Sequence, residues 1–255
     1  MKEFDSNRLL PLTRSMFEGQ QKWSDRNWKE TLSKHYRSIE KLVEKTQVFA
    51  IWKKRLGARY HDVAKELIPE IFMDAYMSID FACMGLYKQA NICLRAQLET
   101  TLRLVYFSTH QVEFKWWQSG SEWYLGDKDV WGKGYIYFEL LTEFKDYDGA
   151  RKDKLFGRIR IFYKLLSHYV HSSVGTFQTK PNKISPKYEP DEFRKWKSNF
   201  NDVQKFVNVI LALGFAETFK ASDISIQRKI LKTIETRNYK DGLRKSLKLR
   251  IPGRI

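Results

Sequence analysis

Cysteine is nearly absent from this chain: Cys83 and Cys93 are its two thiols, and they form no CxxC pair. Two scattered thiols inside helical patterns cannot make a disulfide framework or a zinc ribbon, so the expected setting is a reducing cytoplasm. Proline and glycine are also scarce, 6 and 13 in 255 residues, which disfavours a turn-rich all-β fold. Long hydrophobic runs are missing as well. The most apolar stretch, Phe206 to Phe219, is broken by Asn208 and Glu217 and is too short and too polar to span a bilayer. The opening MKEFDSNRLLPL places Glu3 and Asp5 where a secretory leader needs a clean apolar run. The expectation is a soluble protein with no membrane insertion. The sequence has no P-loop, no strand–GxGxxG–helix unit and no GxSxG elbow, so nucleotide hydrolysis, dinucleotide redox chemistry and α/β-hydrolase chemistry are not expected, and no cofactor is implied.

What the chain does contain is apolar surface and positive charge. Hydrophobic residues make up 42% and aromatics 15%, enough for a substantial core that offsets the entropy of ordering. Lys and Arg number 46 against 30 Asp and Glu, for a net charge of +16. Such a surface points to a polyanionic partner, nucleic acid first and an anionic membrane face second.

The periodicities predict an all-α protein, a helical bundle with an aromatic-rich insert and a basic C-terminal arm. Residues 1–23 read as an irregular lead-in with Pro11 and Gly19, and residues 24–221 as the bundle domain. Ser24 is the expected N-cap of a run that reaches Gly57, with Trp28, Leu32, Ile39, Leu42, Val43, Phe49 and Trp52 on one face. Helices are expected at about 58–84, with Pro69 as a break or kink, and at 86–109. The second is apolar almost all round, which marks it as central. The insert 112–149 crowds Trp116, Trp117, Trp123, Tyr124, Trp131, Tyr135, Tyr137 and Phe138 between glycines, more in the manner of a satellite core than of a base-stacking surface, and ends in a helix near 134–146. Helices at 152–171 and 191–221 flank an exposed loop, 172–190, that carries Pro181, Pro186 and Pro190. Residues 222–255 form a short helix and a basic arm, where Arg244, Lys245, Lys248 and Arg250 are candidate phosphate contacts.

Two polar stripes could carry chemistry. Asn91, Arg95 and Glu99 follow one another at i, i+4 and i+8 along the central helix, and an Arg–Glu pair among core residues is costly unless something satisfies or uses it. It could equally be a buried ion pair that fixes register. On the later helix, Arg160, Lys164, His168 and His171 share one side and Ser167 flanks them. Imidazoles titrate near neutral pH and can move a proton, while neighbouring cations can hold a phosphate. Against that, surface histidines near a helix C-terminus are common because the dipole favours them. Zinc binding by His168 and His171 is weakly supported, since no third ligand is identifiable, and no metal is expected. His35, His61 and His110 are expected to be unremarkable.

The segment ANICLRAQLETTLRLVYF (90–107), followed by YKLLSHYVHSS (163–173), resembles bacterial abortive-infection-type helical proteins of the wide HEPN-like group, which pair a helix of the form LRxxLExxLRLxY with a later LSxxVH. The resemblance covers about residues 80–175. It implies a helical bundle, a cytoplasmic role in antiviral defence or a toxin–antitoxin system, and a metal-independent endoribonuclease, often dimeric with a composite RNA cleft. Carried over by position, it marks Arg95 and Glu99 in the first motif and Ser167 and His171 in the second. The group's nucleases are best known by an arginine separated from a following histidine by four to six residues. Here Lys164, not arginine, stands at the outer spacing before His171.

Two functions therefore stand side by side. The first is an RNA-cleaving effector in which His171 or His168 takes the ribose 2′-hydroxyl proton while Arg95 and Lys164 stabilise the phosphorane. The second is a non-catalytic helical module that binds nucleic acid, RNA before DNA, or a partner protein such as an antitoxin.

Overall fold

Pro11 opens the first helix, because a proline at the first helical position gives up an N–H that would have no partner there. The computed structural model describes residues 10–120, 155–171 and 187–249. Helix α1 spans Pro11–Thr46 and α2 spans Val48–Gly57. The expected irregular lead-in is thus helical from Pro11, well ahead of Ser24. No side chain from Pro11 to Arg26 is buried, and Asn27 is the first that is. This part of α1 buries no side chain fully, so it carries no apolar periodicity to announce it.

Helices α3 (His61–Cys83) and α4 (Tyr87–Phe107) pack along each other at the centre of the fold. Pro69 lies inside α3 without ending it. The turn between them needs Gly85: its φ is +78°, and Leu86 N–H donates to Phe81 C=O while Gly85 N–H donates to Ala82 C=O. This is the Schellman arrangement, which places its C′ residue in the left-handed region. Asn27 and Thr31 of α1 donate to the carbonyls of Met84 and Cys83, at 2.9 and 3.2 Å, so the end of α3 is closed by side chains of another helix.

Helix α5 (Gln111–Gln118) follows, then α6 (Leu155–His171), α7 (Pro190–Gly214), α8 (Ala216–Lys220), α9 (Ile224–Thr233) and α10 (Arg237–Ser246). No strand occurs among the described residues; the fold is all-α. Helix α4 packs against α3, α6 and α7, the central position that its all-round apolar sequence predicts. Helices α4 and α7 approach so closely at Gly214 that a Cβ there would lie 2.9 Å from both Val105 methyl carbons. The buried tryptophans pair their N–H groups, Trp52 with Asn208 Oδ1 at 3.0 Å and Trp196 with Ser78 Oγ at 2.9 Å.

In the described part of the insert, Phe114 is buried and Trp117 packs beside Phe107, while Trp116 is exposed. Trp123, Tyr124, Trp131, Tyr135, Tyr137, Phe138 and the helix expected near 134–146 lie outside the described residues, as do Pro181, Pro186 and most of the loop expected at 172–190. At the C-terminal end the basic arm is folded. Ile230, Leu231, Ile234, Tyr239, Leu243 and Leu247 are all buried in the common core.

Candidate functional site

The apolar periodicity of α4 leaves one face for Asn91, Arg95 and Glu99, and α6 meets that face with Tyr163 and Ser167, again one turn apart. Arg95 Nε donates to Ser167 Oγ at 3.1 Å, and Arg95 Nη2 donates to the Tyr163 hydroxyl at 2.8 Å and reaches Glu99 Oε1 at 2.9 Å. The Tyr163 hydroxyl in turn donates to Glu99 Oε1 at 2.5 Å. The Arg95 guanidinium carbon stands 5.0 Å from the centre of the Tyr163 ring. The Ser167 hydroxyl in turn donates to the Tyr163 carbonyl, as helical serines do. The four side chains form a closed circuit in which the charged pair keeps about a fifth to a quarter of its surface exposed, 21% for Arg95 and 25% for Glu99.

Burial pushes the Tyr163 phenol well above its ordinary range. The hydrogen bond to the Glu99 carboxylate adds to this, and Arg95 partly offsets it. The phenol therefore stays protonated and serves as a donor. Close by on α3, the Asp74 carboxyl is pushed up to about 7, first by burial, then by Glu70 and Glu99, with Arg103 pulling the other way. Burial and the nearby Asp74 likewise hold the Cys93 thiol up at about 11, so it stays protonated at neutral pH.

Asn91 sits at the next level along the stripe. Its amide donates to Tyr87 C=O at 2.7 Å and accepts from Asn199 of α7 at 2.8 Å. Asn199 also lies within hydrogen-bonding reach of Tyr169 on α6. The polar stripe of α4 thus ties α6 and α7 to the centre of the fold.

The structure brings Arg95 and Glu99 together with Ser167, while Arg160, Lys164, His168 and His171 are exposed on α6 and stand outside the circuit. The two stripes meet through Tyr163 and Ser167 rather than through the histidines. Sequence reasoning does not single out Tyr163 as a site residue, although its spacing of four from Ser167 carries the signal. Asp74 escapes it as well. This residue lies in DAYMSIDFAC, where an acid at helical spacing reads as part of a solvated face. Lys245 and Lys248 are exposed and Arg244 is half-buried; Arg250 lies outside the described residues. Of the remaining histidines, His61 is exposed beside Asp62, and His110 stacks on Tyr106 at 3.9 Å. His35 is more engaged than expected. Its ring stacks on Phe193 at 4.2 Å, and Nε2 stands 2.7 Å from the Tyr188 hydroxyl.

Among the described residues no helix is long and apolar enough to cross a membrane, and no three His, Cys, Asp or Glu side chains are grouped as a metal site requires. Compared with family models, curated proteins and solved structures, the chain finds no match in any of the three.

Proposed function

We propose that this chain is a HEPN-like effector that acts on RNA as a metal-independent ribonuclease of the antiphage or toxin type. The observation that carries this reading is the meeting of the two motif helices: Arg95 and Glu99 of α4 are bonded directly to Tyr163 and Ser167 of α6. This junction fixes the rotation of α6 and with it the outward aspect of Arg160, Lys164, His168 and His171. In the proposed chemistry one histidine of α6 takes the proton of a ribose 2′-hydroxyl and the 2′-oxygen attacks the adjacent phosphorus. The 5′-oxygen leaves with a proton from the other histidine. The products are a 2′,3′-cyclic phosphate and a 5′-hydroxyl, and Lys164 and Arg160 offset the charge that gathers on the phosphorane. Because its guanidinium is engaged by Glu99, Tyr163 and Ser167, Arg95 acts in this scheme as a positioning residue for α6.

The test is digestion of total RNA in EDTA by the wild-type chain, His171→Ala and His168→Ala. Cleavage by wild type that drops at least about a hundredfold in either variant supports the assignment, in line with the usual worth of a proton-transfer group. Equal cleavage by all three proteins refutes it. A second reading, a non-catalytic module that binds nucleic acid or a partner protein, draws on the same engagement of Arg95 and on the solvent exposure of both histidines. It predicts no cleavage by any of the three and RNA binding that survives both substitutions.

A further inference from the structure

Between Ile224 and Leu249 eight Lys and Arg residues stand against two acids, Glu235 and Asp241. Both acids are already engaged: Glu235 pairs with Lys45 of α1, and Asp241 reaches Arg237 within its own helix at 3.5 Å. Asp223, just ahead of α9, pairs with Arg55. Lys229, Lys232, Lys245 and Lys248 are exposed, and no hydrogen bond or ion pair ties their side chains to the rest of the described residues. The helices that carry them are held firmly, because Ile230, Leu231, Tyr239, Leu243 and Leu247 are buried. Both helices pack on α7, and the result is a set of firmly held, exposed cations.

The end of α10 supplies a second, independent observation. Leu249 N–H donates to Arg244 C=O at 2.9 Å and Lys248 N–H donates to Lys245 C=O at 3.3 Å, which is again a Schellman end. Its C′ residue is Lys248, with φ +53°. The equivalent residues after α3 and α5 are Gly85 and Gly120, as this backbone region favours. Lys248 is the one non-glycine residue with positive φ among the described residues. No hydrogen bond or ion pair of its side chain within the described residues accounts for a lysine at a position that favours glycine.

We propose that the outer face of α9 and α10 is a sequence-independent binding surface for the phosphate backbone of single-stranded RNA, with Lys229, Lys232, Lys245 and Lys248 as its contacts. A repeating polyanion fits better than a lipid surface. A membrane-lying helix inserts its apolar side chains, and Tyr239 and Leu243 of α10, with Leu247 just after it, are spent inside the protein. The choice of RNA rests on the functional reading above; the cationic surface does not.

The test uses the full chain and a fluorescent 20-nucleotide poly(U) RNA, titrated over a range of salt concentrations. For wild type, log affinity should fall steeply with log salt. Lys245→Gln/Lys248→Gln should flatten that slope by about 1.4, at about 0.7 for each phosphate of a single strand that is no longer neutralised. Lys248→Gly should raise the melting temperature while lowering RNA affinity, a combination that a merely structural lysine would not give. Unchanged slopes in both variants, or a wild type that does not bind the RNA, would overturn the proposal. So would variants that lose binding to vesicles of 70% phosphatidylcholine and 30% phosphatidylserine while their RNA slope stays put. The salt slope reads binding alone, so failure of the cleavage reading, seen as equal digestion by wild type, His168→Ala and His171→Ala, leaves this test standing.

Discussion

The Tyr163 hydroxyl of α6 donates a hydrogen bond to Glu99 of α4 at 2.5 Å and accepts one from Arg95 at 2.8 Å on the same oxygen. One phenol thereby bridges both members of an ion pair that would otherwise be poorly satisfied where α4 and α6 meet.

Removing that bridge should therefore cost more than one exposed hydrogen bond. Tyr163→Phe is expected to lower stability by about 1–2 kcal/mol, since it strips a donor from a half-buried carboxylate. Glu99→Ala should cost more, about 2–3 kcal/mol, because it leaves the Arg95 charge without its counter-ion. Urea unfolding of the two single variants and the double variant measures the coupling between them. Strictly additive losses would show that the bridge is not a unit.

Asp74 should make stability depend on pH in a definite direction. Its folded carboxyl titrates at about 7, above its ordinary 3.8, so between about pH 4 and 7 the folded chain holds a proton that the unfolded chain has released. This contribution to stability is full below about pH 4, falls as the pH rises to about 7, and then stays level. Asp74→Asn should remove that slope and raise the melting temperature at pH 8 above that of wild type. Parallel melting curves from pH 5 to 8 for the two proteins would contradict it.

His35 should act with the opposite sign. Its imidazole is lowered from the usual 6.5, first by burial and then by Lys197 and Lys34. Lys34 itself is bonded to Glu30 and lies over the Tyr188 ring at 4.4 Å. The folded ring resists a proton that the unfolded ring accepts, so stability is lost as the pH falls below about 6.5 toward the depressed folded value. His35→Gln should flatten the acid side of the melting profile, and an unaltered acid limb would rule the residue out as its source.

Two glycines should respond oppositely to alanine. A Cβ on Gly85 would lie 2.7 Å from the Lys187 carbonyl oxygen at a φ of +78°, so Gly85→Ala should destabilise by more than about 1 kcal/mol. Gly19 stands inside α1 with nothing within 4 Å of the same position, so Gly19→Ala should stabilise by up to about 1 kcal/mol through helix propensity alone. Thermal melts of the two variants decide both.

Much of the helical layout is legible in the sequence. The helix expected at 86–109 is Tyr87–Phe107, and that at 152–171 is Leu155–His171, because long periodic apolar faces announce themselves whatever they pack against. The start of α1 is not legible, since Leu12, Met16 and Phe17 remain exposed and show no face turned to a core. The candidate site is half legible. Arg95 and Glu99 stand out as charges on an apolar cylinder, whereas Tyr163 looks like one more aromatic on an apolar face. Only its bonds to α4 reveal it as the partner of both.

The sequence by itself determined that this protein is helical, that α4 is central and that the C-terminal end of the chain is strongly basic, because periodicity and charge are local properties. The tertiary structure alone decided which polar groups meet. It turned Tyr163 and Ser167 inward to Arg95 and left His168 and His171 in solvent. It half-buried Asp74 beside Glu70 and Glu99, and it docked the basic C-terminal helices through Ile230, Leu231, Tyr239 and Leu243. The rotation of one helix against another is set by the packing of the whole core, and shifting it by a single residue's turn of about 100° would have exchanged these roles.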